Sequence, residues 1–454
     1  MSIPVTLPGV LLSVVGAGYV GLVTAACFAR LGNEVRVLEI DAARVARLRR
    51  GELPIREPGL DELVEEGLSS GRLTFDTEPG SLHGTRLAIV AVGTLDQNGE
   101  WTDRTVRAAV ETIARDPSAP RAIVIRSTLL PGSAVAIRDA AVAIDASVEL
   151  AFNPEFTREA TAVNDFLMPD RVVIGVADPH DPETDLVDDL RRLYAPLEAP
   201  IVVTDLTSAE MIKVASNVFL ASKITFANEL ARLCAAAGAD VAAVVDGMGL
   251  DKRIGRSFLS PGPGFGGSCF PSQSRALPEV ARRLGVKTRL IDSIGTSNED
   301  QADWLLDRLE QAAGRSIEGW RVALLGLTFK AGTDDLRESP AIRLARRLVA
   351  RGASVAAFDP AAGVKAIAEL AAGGIEIEGC ASAQDACNGA DAVVVATEWP
   401  EFRQLDWRVI APRMQGRLVA DARHVVDVEE AGQAGLQVLV LGVTAPQRSP
   451  TGAA

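Results

Sequence analysis

Short apolar runs in the first third of the chain each end at glycine or a polar residue. The run at 11–15 leads directly into GAGYVG at 16–21, a helical pattern follows, and a second run at 34–39 ends in an acid. Further apolar runs at 87–92 and 122–125 end in glycine, serine or threonine. Continuous apolar runs of this length are typical of buried parallel strands. The pattern therefore predicts strands that alternate with helices.

The last third repeats this order without the glycine motif. A predicted strand at 321–325 is followed by a helical pattern at 341–350, and a second strand at 354–358 again precedes an acid. Two more strands are predicted at 392–396 and 418–420. Repeated strand–helix alternation favours a parallel sheet covered by helices. The sequence therefore predicts a second Rossmann-like half.

Between the two halves, residues 207–237 contain neither glycine nor proline. They predict one helix of roughly 45 Å, whose charged residues exclude a membrane span. Glu210, Lys213 and Asn217 fall at i, i+3 and i+7 on one face of it, which either meets water or meets an anionic group. We expect an α/β fold: two Rossmann-like doubly wound parallel-sheet domains joined by a long central helix.

The expected divisions are a first Rossmann-like domain at 1–204, a central helical region at 205–300, a second Rossmann-like domain at 301–445 and a disordered tail at 446–454. The net charge of −14 over 454 residues argues against nucleic acid or an anionic membrane as partner. Five cysteines without framework spacing, and no secretory leader or long apolar run, suit a cytoplasmic protein. Three scattered histidines and the lack of a CxxC or HExxH motif argue against a protein-bound catalytic metal.

The GxGxxG motif at 16–21 stands in the context that dinucleotide binding requires, with a strand before it and a helix after it. Its glycines would admit a pyrophosphate to the helix N-terminus. Glu39 would bind the adenosine ribose and repel a 2′-phosphate, which favours NAD over NADP. Thr94 and Thr128 follow two other strands, where they would line the cofactor or substrate, or else cap helices.

The loop 264–271 surrounds Cys269 with glycine and proline. It is either a tight turn around a buried thiol or a loop that presents a nucleophile. Glu155 and Glu159 lie four residues apart beside an Asn-Pro turn, which suits either acid–base chemistry or a solvated helix start. Lys330 and Arg423 follow strands of the second half, where they would suit a diphosphate or carboxylate.

Many ordered motifs together resemble the UDP-glucose/GDP-mannose dehydrogenase family from about residue 11 to residue 426. They are GAGYVG at 16–21, LPIREPGL at 53–60, AVGT at 91–94, ST at 127–128, NPEF at 153–156, PDRVVIG at 169–175, AEMIKVASNVFLA at 209–221, GLDKRIG at 249–255, GFGGSCFP at 264–271, GLTFKAGTDDLRESP at 326–340 and TEWPEF at 397–402. Within the family, the chain looks most similar to the UDP-glucose 6-dehydrogenases.

The resemblance implies oxidation of a sugar C6 alcohol to a carboxylate by two NAD⁺, through a Cys269 thiohemiacetal and thioester. Lys213 would stabilise or deprotonate the alkoxide, Asn217 would donate to the oxyanion, and Thr128 with Glu155 would hold the hydrolytic water. UDP-glucose or dTDP-glucose is the expected substrate. GDP-mannose and UDP-amino sugars are alternatives, as is a two-electron β-hydroxyacid dehydrogenase.

The resemblance assigns NAD binding to 1–204, dimerisation and the catalytic Cys loop to 205–300, and nucleotide-sugar binding to 301–445. It also implies two sets of contacts and a homodimer. The cofactor contacts are Gly16, Gly18, Tyr19, Val20, Gly21, Glu39, Arg44, Thr94, Thr128, Glu159 and Arg337. The substrate contacts are Glu155, Phe156, Glu159, Lys213, Asn217, Arg253, Phe258, Gly266, Phe329, Lys330 and Arg423, with Arg253 offered across the dimer interface.

Two residues depart from the family pattern near the cysteine. Members usually continue Cys-Phe-Pro with Lys-Asp, whereas this chain has Ser272-Gln273. Gln273 forms hydrogen bonds but neither carries charge nor accepts a proton. We therefore expect a slower proton-transfer or hydrolysis step, with a nucleotide-sugar-binding protein of impaired catalysis as the alternative.

Overall fold

The structure, a computed structural model, describes residues 9–97, 99–180 and 184–443. By its internal contacts the chain divides into two compact units, Met1–Ser216 and Asn217–Ala454. The helix α8, Leu206–Ala237, runs from the first unit into the second. The tail expected to be disordered, 446–454, lies outside the described residues.

The first unit alternates strands with helices. Its strands are β1 Leu11–Val15, β2 Glu34–Leu38, β3 Leu73–Asp76, β4 Leu87–Val90, β5 Ala122–Ile125, β6 Glu149–Phe152, β7 Val172–Val176 and β8 Ile201–Asp205. Its helices before α8 are α1 Tyr19–Arg30, α2 Ala42–Leu48, α3 Leu60–Ser69, α4 Arg104–Arg115, α5 Ser133–Ile144, α6 Ala162–Leu167 and α7 Asp185–Tyr194. Two 3₁₀ turns lie at Pro79–Leu82 and Ala195–Leu197.

The eight strands form one sheet in the order β3-β2-β1-β4-β5-β6-β7-β8. Its first six strands are parallel, β7 pairs antiparallel with β6 between Phe152 and Gly175, and β8 is parallel to β7. One apolar cluster joins the sheet to α1, α3, α6 and α7, and a second joins it to α4, α5 and the start of α8. The carboxyl ends of β1, β2, β4, β5 and β6 therefore share one edge.

The second unit contains the rest of α8 and a smaller sheet. Its strands are β9 Arg321–Leu325, β10 Ser354–Phe358, β11 Glu378–Gly379, β12 Ala392–Val395, β13 Leu418–Asp421 and β14 Gln437–Val440. Its other helices are α9 Val241–Gly249, α10 Cys269–Arg283, α11 Arg289–Ala313, α12 Pro340–Ala350, α13 Gly363–Ala372, α14 Ala383–Cys387, α15 Trp407–Ile410 and α16 Val428–Gln433, with 3₁₀ turns at Pro400–Gln404 and Ala411–Arg413.

The six strands of this sheet are all parallel, in the order β11-β10-β9-β12-β13-β14. Its order matches that of the first six strands of the other sheet, which confirms the predicted second Rossmann-like half. The fold class predicted from the apolar pattern is confirmed, and α8 begins one residue before the predicted start. The antiparallel pair β6–β7 was not predicted. Within the described residues, no helix is long and apolar enough to cross a membrane.

Candidate active site

The glycine motif forms the turn between β1 and α1. Gly16 has φ +102°, and a Cβ there would lie 2.7 Å from the carbonyl oxygen of Ala91. A Cβ on Gly21 would lie 2.0 Å from the carbonyl oxygen of Gly16. A Cβ on Gly18 would meet no heavy atom within 4 Å. Two of the glycines are thus required by packing, and the third leaves the N-terminus of α1, where Tyr19 and Val20 begin the helix, open to a pyrophosphate.

Glu39 follows β2 and lies beside this turn with 7% exposure. Its carboxylate accepts hydrogen bonds from the backbone N–H of Ala17 at 3.0 Å and of Asp41 at 3.0 Å. Arg44 on α2 donates to the same carboxylate at 3.2 Å. The predicted ribose-binding acid and Arg44 are therefore adjacent. A buried carboxylate at this place disfavours the 2′-phosphate of NADP.

Thr94 and Thr128 lie just beyond β4 and β5, at the same sheet edge. Neither caps a helix, because Asp103 is the N-cap of α4 and Gly132 is the N-cap of α5. The Thr128 carbonyl accepts a hydrogen bond from the Trp101 indole at 3.2 Å. Both residues thus lie at the sheet edge where parallel sheets bind ligands, and the helix-capping alternative is excluded.

Lys213 and Glu155 form a buried ion pair in the first unit. The Lys213 Nζ lies 2.7 Å from Glu155 Oε1 and also donates to the Glu155 carbonyl at 2.5 Å. Their side chains are 2% and 6% exposed. Glu155 Oε2 accepts from the backbone N–H and the hydroxyl of Thr157, each at 2.6 Å. The solvated-helix alternative for this segment is therefore wrong, since Glu155 is buried and the next helix begins at Ala162.

Burial would raise the pKa of the Glu155 carboxyl, but the Lys213 ammonium and the Thr157 hydrogen bonds hold it below its ordinary value. Phe156 lies beside the pair, with the Lys213 Nζ 5.3 Å and the Arg171 guanidinium 3.6 Å from its ring centre. Glu155 is thus a carboxylate and Lys213 its cation. This charge pair stands at the carboxyl end of β6.

The polar face of α8 does not meet water. Glu210 is fully buried and accepts hydrogen bonds from the backbone N–H of Gly132 at 2.7 Å and of Ala134 at 2.6 Å. It therefore caps the N-terminus of α5 from another helix. Asn217, one turn beyond Lys213, is 9% exposed. All three residues of the predicted face are buried.

Two residues of this unit were missed by the sequence analysis. Arg126 is buried directly before Ser127-Thr128 and donates at 2.8 Å both to Asn153 Oδ1 and to the Tyr194 hydroxyl, which ties β5 to β6 and α7. Glu57 is 2% exposed and accepts from the Tyr19 hydroxyl. Burial and the Glu57 carboxylate raise the pKa of Tyr19, so the phenol keeps its proton. Two features of the sequence could have indicated these residues. Arg126 ends an apolar run, and Glu57 is the acid of the LPIREPGL motif.

In the second unit, Cys269 is the exposed first residue of α10. Its loop is fixed by Asn298 on α11, whose side chain accepts from the Phe265 N–H at 2.8 Å and donates to the Phe265 carbonyl at 3.1 Å. The Gly267 N–H donates to the Arg337 carbonyl at 2.9 Å. The loop is fixed and its thiol is accessible at a helix N-terminus, where negative charge is favoured. This arrangement suits a nucleophile. The buried-thiol alternative is excluded.

The predicted substrate residues of this unit surround the same loop. A Cβ on Gly266 would lie 3.0 Å from the Cβ of Phe329, and the Phe329 carbonyl accepts from Arg423 at 3.1 Å. Arg423 is also paired with Glu398 at 3.1 Å. The Phe258 ring meets the Phe270 ring edge to face, with centres 6.3 Å apart. Phe329 and Phe258 thus lie beside residues next to Cys269 in the chain, and Arg423 contacts Phe329.

Other predicted residues are placed less distinctively. Arg253 is paired with Asp251 at 2.6 Å and its side chain is 89% exposed. Lys330 lies with its Nζ 5.5 Å from the Phe329 ring centre. Arg337 holds Asp335 at 2.7 Å. Glu159 is partly buried near Tyr19, whose pKa it helps to raise.

Gln273 follows Cys269 by one helical turn and is 4% exposed. Its Oε1 atom is buried without a hydrogen-bond partner among the described residues, and so is the hydroxyl of Ser274. A buried acceptor of this kind is costly unless a ligand or water completes it. No group of three or more His, Cys, Asp or Glu side chains in the described part of the chain could hold a metal ion.

Comparison with known proteins identifies three matching family models in chain order. They describe the UDP-glucose/GDP-mannose dehydrogenase family: its NAD binding domain over residues 10–198, its central domain over 207–300 and its UDP binding domain over 323–428. A UDP-glucose 6-dehydrogenase of Pseudomonas aeruginosa is 41% identical over 431 residues, which are 91% of this chain and 93% of that protein.

Two solved structures are also similar to the chain. A UDP-glucose dehydrogenase from the archaeon Pyrobaculum islandicum has a TM-score of 0.86 and 37% identity, covering 97% of this chain and 99% of that one. A UDP-D-ManNAc dehydrogenase from Pyrococcus horikoshii has a TM-score of 0.82 and 26% identity, covering 95% and 99%. The similarity thus spans both units.

Proposed function

Because the chain belongs to the UDP-glucose/GDP-mannose dehydrogenase family, we propose that it oxidises carbon 6 of UDP-glucose, or of dTDP-glucose, to a carboxylate. The chain is an NAD-dependent oxidoreductase of the nucleotide-sugar dehydrogenase type. The observation that carries the proposal is the exposed Cys269 thiol at the start of α10, on a loop fixed by Asn298 and Arg337. An aldehyde oxidised in place needs such a nucleophile.

The open N-terminus of α1 and the Glu39 carboxylate fit NAD, which supplies the hydride acceptor twice. In the proposed sequence the alcohol first loses a hydride and a proton, giving an aldehyde. The Cys269 sulfur adds to the aldehyde carbon, forming a carbon–sulfur bond. A second hydride and proton leave this thiohemiacetal, giving a thioester. Water then breaks the carbon–sulfur bond and releases the acid and the thiol. The sum consumes one alcohol, two NAD⁺ and one water.

Lys213 is suited to the alkoxide that develops at carbon 6. Two of the three donors of its ammonium are used by Glu155, at 2.7 Å and 2.5 Å, which leaves one for the substrate oxygen. Asn217, one turn along α8, would donate to the oxyanion of the thiohemiacetal. Glu155 stays a carboxylate and, with Thr128, would hold the hydrolytic water.

The remaining site residues complete the proposal as the resemblance implies them. Gly16, Gly18, Tyr19, Val20, Gly21, Glu39, Arg44, Thr94, Glu159 and Arg337 contact NAD. Phe156, Glu159, Arg253, Phe258, Gly266, Phe329, Lys330 and Arg423 contact the nucleotide sugar. The three family-model ranges support the division at 1–204, 205–300 and 301–445. We further propose that the protein is cytoplasmic and that it forms a homodimer through the apolar face of α8.

The experiment that tests this function counts NADH released per nucleotide sugar. UDP-glucose and dTDP-glucose are offered separately to the wild type, to Cys269→Ser and to Cys380→Ser, a matched control at another partly exposed cysteine. We expect two NADH per sugar from the wild type and Cys380→Ser, with the preferred nucleotide giving the higher kcat/KM. We expect Cys269→Ser to release no acid.

Other results would redirect the proposal. One NADH with free aldehyde would mean that the thioester route is wrong. Turnover of a UDP-amino sugar or GDP-mannose instead would change the substrate, in line with the UDP-D-ManNAc dehydrogenase among the similar structures. No NADH from any nucleotide sugar would favour a binding protein, in line with the expected replacement of an acid by Gln273, whose Oε1 has no hydrogen-bond partner among the described residues.

A further inference from the structure

Glu57 is a buried carboxylate without a role in the steps described above. It lies between α2 and α3 with 2% exposure. One oxygen, Oε2, accepts from the Tyr19 hydroxyl and from the Ala160 N–H at 2.7 Å. The other, Oε1, accepts from the Ala162 N–H at 2.7 Å and the Val163 N–H at 3.5 Å. Because an ionised carboxylate is costly to bury, these donors are what keep it there.

The donors come from two separate parts of the first unit. Tyr19 is the first residue of α1, where the pyrophosphate of NAD is expected. Ala160 belongs to the segment that links β6 to α6, which also carries Glu155, and Ala162 and Val163 are the first two residues of α6. Glu57 therefore joins the start of the cofactor helix to the segment that holds the partner of Lys213.

That segment is constrained at its far end. Ala160 has φ +66°, a left-handed conformation that is unfavourable for a residue with a Cβ. Thr161, the N-cap of α6, makes no side-chain capping bond, so Glu57 supplies the cap of α6 from another loop. Glu57 thus holds the end of this segment at Ala160 and Ala162, beside the bonds between Arg158 and Asp165.

We propose that Glu57 is a positioning residue that couples NAD binding at α1 to the geometry of the Glu155–Lys213 pair. A pyrophosphate bound to the first N–H groups of α1 holds Tyr19 in place, and Tyr19 holds Glu57. Glu57 then fixes Ala160 and Ala162, and with them the loop from Glu155. The effect on catalysis rests on the proposed function, whereas the coupling itself requires only NAD binding.

The test compares the full-length wild type with Glu57→Gln, Tyr19→Phe and Glu65→Gln, the last an exposed acid on α3 as control. Amide hydrogen exchange is followed in peptides covering 153–163, with and without saturating NAD and without sugar. We expect NAD to slow exchange at the N–H groups of Ala160 and Ala162 about tenfold in the wild type and in Glu65→Gln. The loss of one charge-assisted hydrogen bond is large enough to cancel a tenfold effect. In Glu57→Gln and Tyr19→Phe we expect no slowing.

A second readout separates positioning from stability. We expect Glu57→Gln to raise the Kd for NAD about tenfold and to lower kcat, while Tyr19→Phe, which removes only one hydroxyl, does the same with an unchanged fold. Equal slowing by NAD in all four proteins would overturn the coupling. The coupling would also be overturned if adding Ala160→Gly to the Glu57→Gln protein restored the slowing of exchange by NAD. Glu57 would then only offset the backbone strain of the turn at Ala160. Since neither exchange nor NAD binding needs sugar turnover, these results stand even if the proposed substrate is wrong.

Discussion

At the scale of single residues, the Lys213–Glu155 pair sets the chemistry of the first unit. Glu155→Gln keeps the shape of the side chain but leaves the buried ammonium without its counter-charge. We expect unfolding free energy to fall by about 3–5 kcal/mol, as for other broken buried pairs, and kcat to fall with it. Urea unfolding monitored by circular dichroism measures the first effect, with the exposed Glu149→Gln as control.

The same pair gives stability a defined pH dependence. The native pKa of Glu155 lies below its ordinary value of 4.5, so the unfolded chain binds the proton first. The stability that the carboxylate contributes is therefore complete above about pH 4.5 and is lost as pH falls through the native pKa. The difference in unfolding free energy between the wild type and Glu155→Gln should therefore become smaller only below pH 4.5. A gap that narrows above pH 6 would contradict this.

Gln273 stands where the resemblance leads us to expect an aspartate, and its buried Oε1 has no partner in the described residues. Gln273→Asp supplies a group that accepts a proton, and we expect thioester hydrolysis to accelerate by about tenfold or more. Single-turnover release of the acid measures that step. The control Gln273→Asn introduces a side chain of the same size as aspartate but without its charge, and it should not accelerate thioester hydrolysis. Unchanged turnover in Gln273→Asp would refute the idea that Gln273 slows the enzyme.

At the scale of elements, α5 depends on a cap that comes from α8. Burial raises the pKa of Glu210 to about 7, against the opposing effect of the α5 N–H groups. Between about pH 4.5 and 7 the native state thus holds a proton that the unfolded chain has released, and stability falls as pH rises. This loss amounts to at most about 3 kcal/mol.

Glu210→Gln tests this cap, because it removes the titration and sets an NH₂ group against one of the two backbone donors. We expect it to cost about 1–3 kcal/mol at pH 5 and less at pH 8. Unfolding by urea at four pH values compares it with wild type and with the exposed Glu78→Gln. A gap that is constant from pH 5 to pH 8 would contradict the assigned titration.

The same elements show how far the sequence could be interpreted. The absence of glycine and proline from 207–237 predicted α8, since helix propensity is a local property. Periodicity placed Glu210, Lys213 and Asn217 on one face but could not tell whether water or protein covers it. Their partners are distant: Glu155 lies 58 residues from Lys213, and Gly132 lies 78 residues from Glu210. Side-chain chemistry names the possible partners, but only the fold selects them.

Because its partners are also distant in the chain, Glu57 had no predicted role, although it belongs to the LPIREPGL motif. Its donors lie 38 to 106 residues away. The direction of β7 was also invisible, because a buried apolar run reads alike in either direction. By contrast, the strands around GAGYVG were predictable, since tight packing dictates their glycines: a Cβ on Gly21 would lie 2.0 Å from a carbonyl oxygen.

At the scale of the whole molecule, the two halves share a strand order but differ at the first turn. In the second half, Gly326 is kept at φ +91°, since a Cβ there would lie 2.5 Å from Thr397. The acid after β10, Asp359, accepts from the Leu327 N–H at 2.7 Å and the Thr328 N–H at 3.0 Å. The first of these bonds matches the one from the Ala17 N–H to Glu39 in the first half, but Thr328 takes the place of the open Gly18, and its N–H and hydroxyl both donate to Asp359. The second sheet therefore keeps the Rossmann turn but not the dinucleotide site.

The expected homodimer is argued from one face of α8. Met211, Phe219, Phe226 and Leu233, spaced by about two helical turns, are 39%, 64%, 49% and 67% exposed. Large apolar side chains in a row on a helix rarely face water without a partner surface. Two copies of the same face would bury each other in a two-fold interface.

Phe219→Glu combined with Phe226→Glu should therefore dissociate the protein. Four carboxylates would enter the interface in place of apolar rings, and we expect the dimer Kd to rise by at least about 100-fold, since buried aromatics dominate such contacts. Sedimentation velocity measures this, with Val364→Glu, 89% exposed on α13, as the matched control. Because Arg253 is expected to reach a partner's substrate, kcat should fall together with dimer content on dilution. A double variant that sediments like wild type would place the dimer interface elsewhere, and a monomer of undiminished kcat would remove Arg253 from the partner's site.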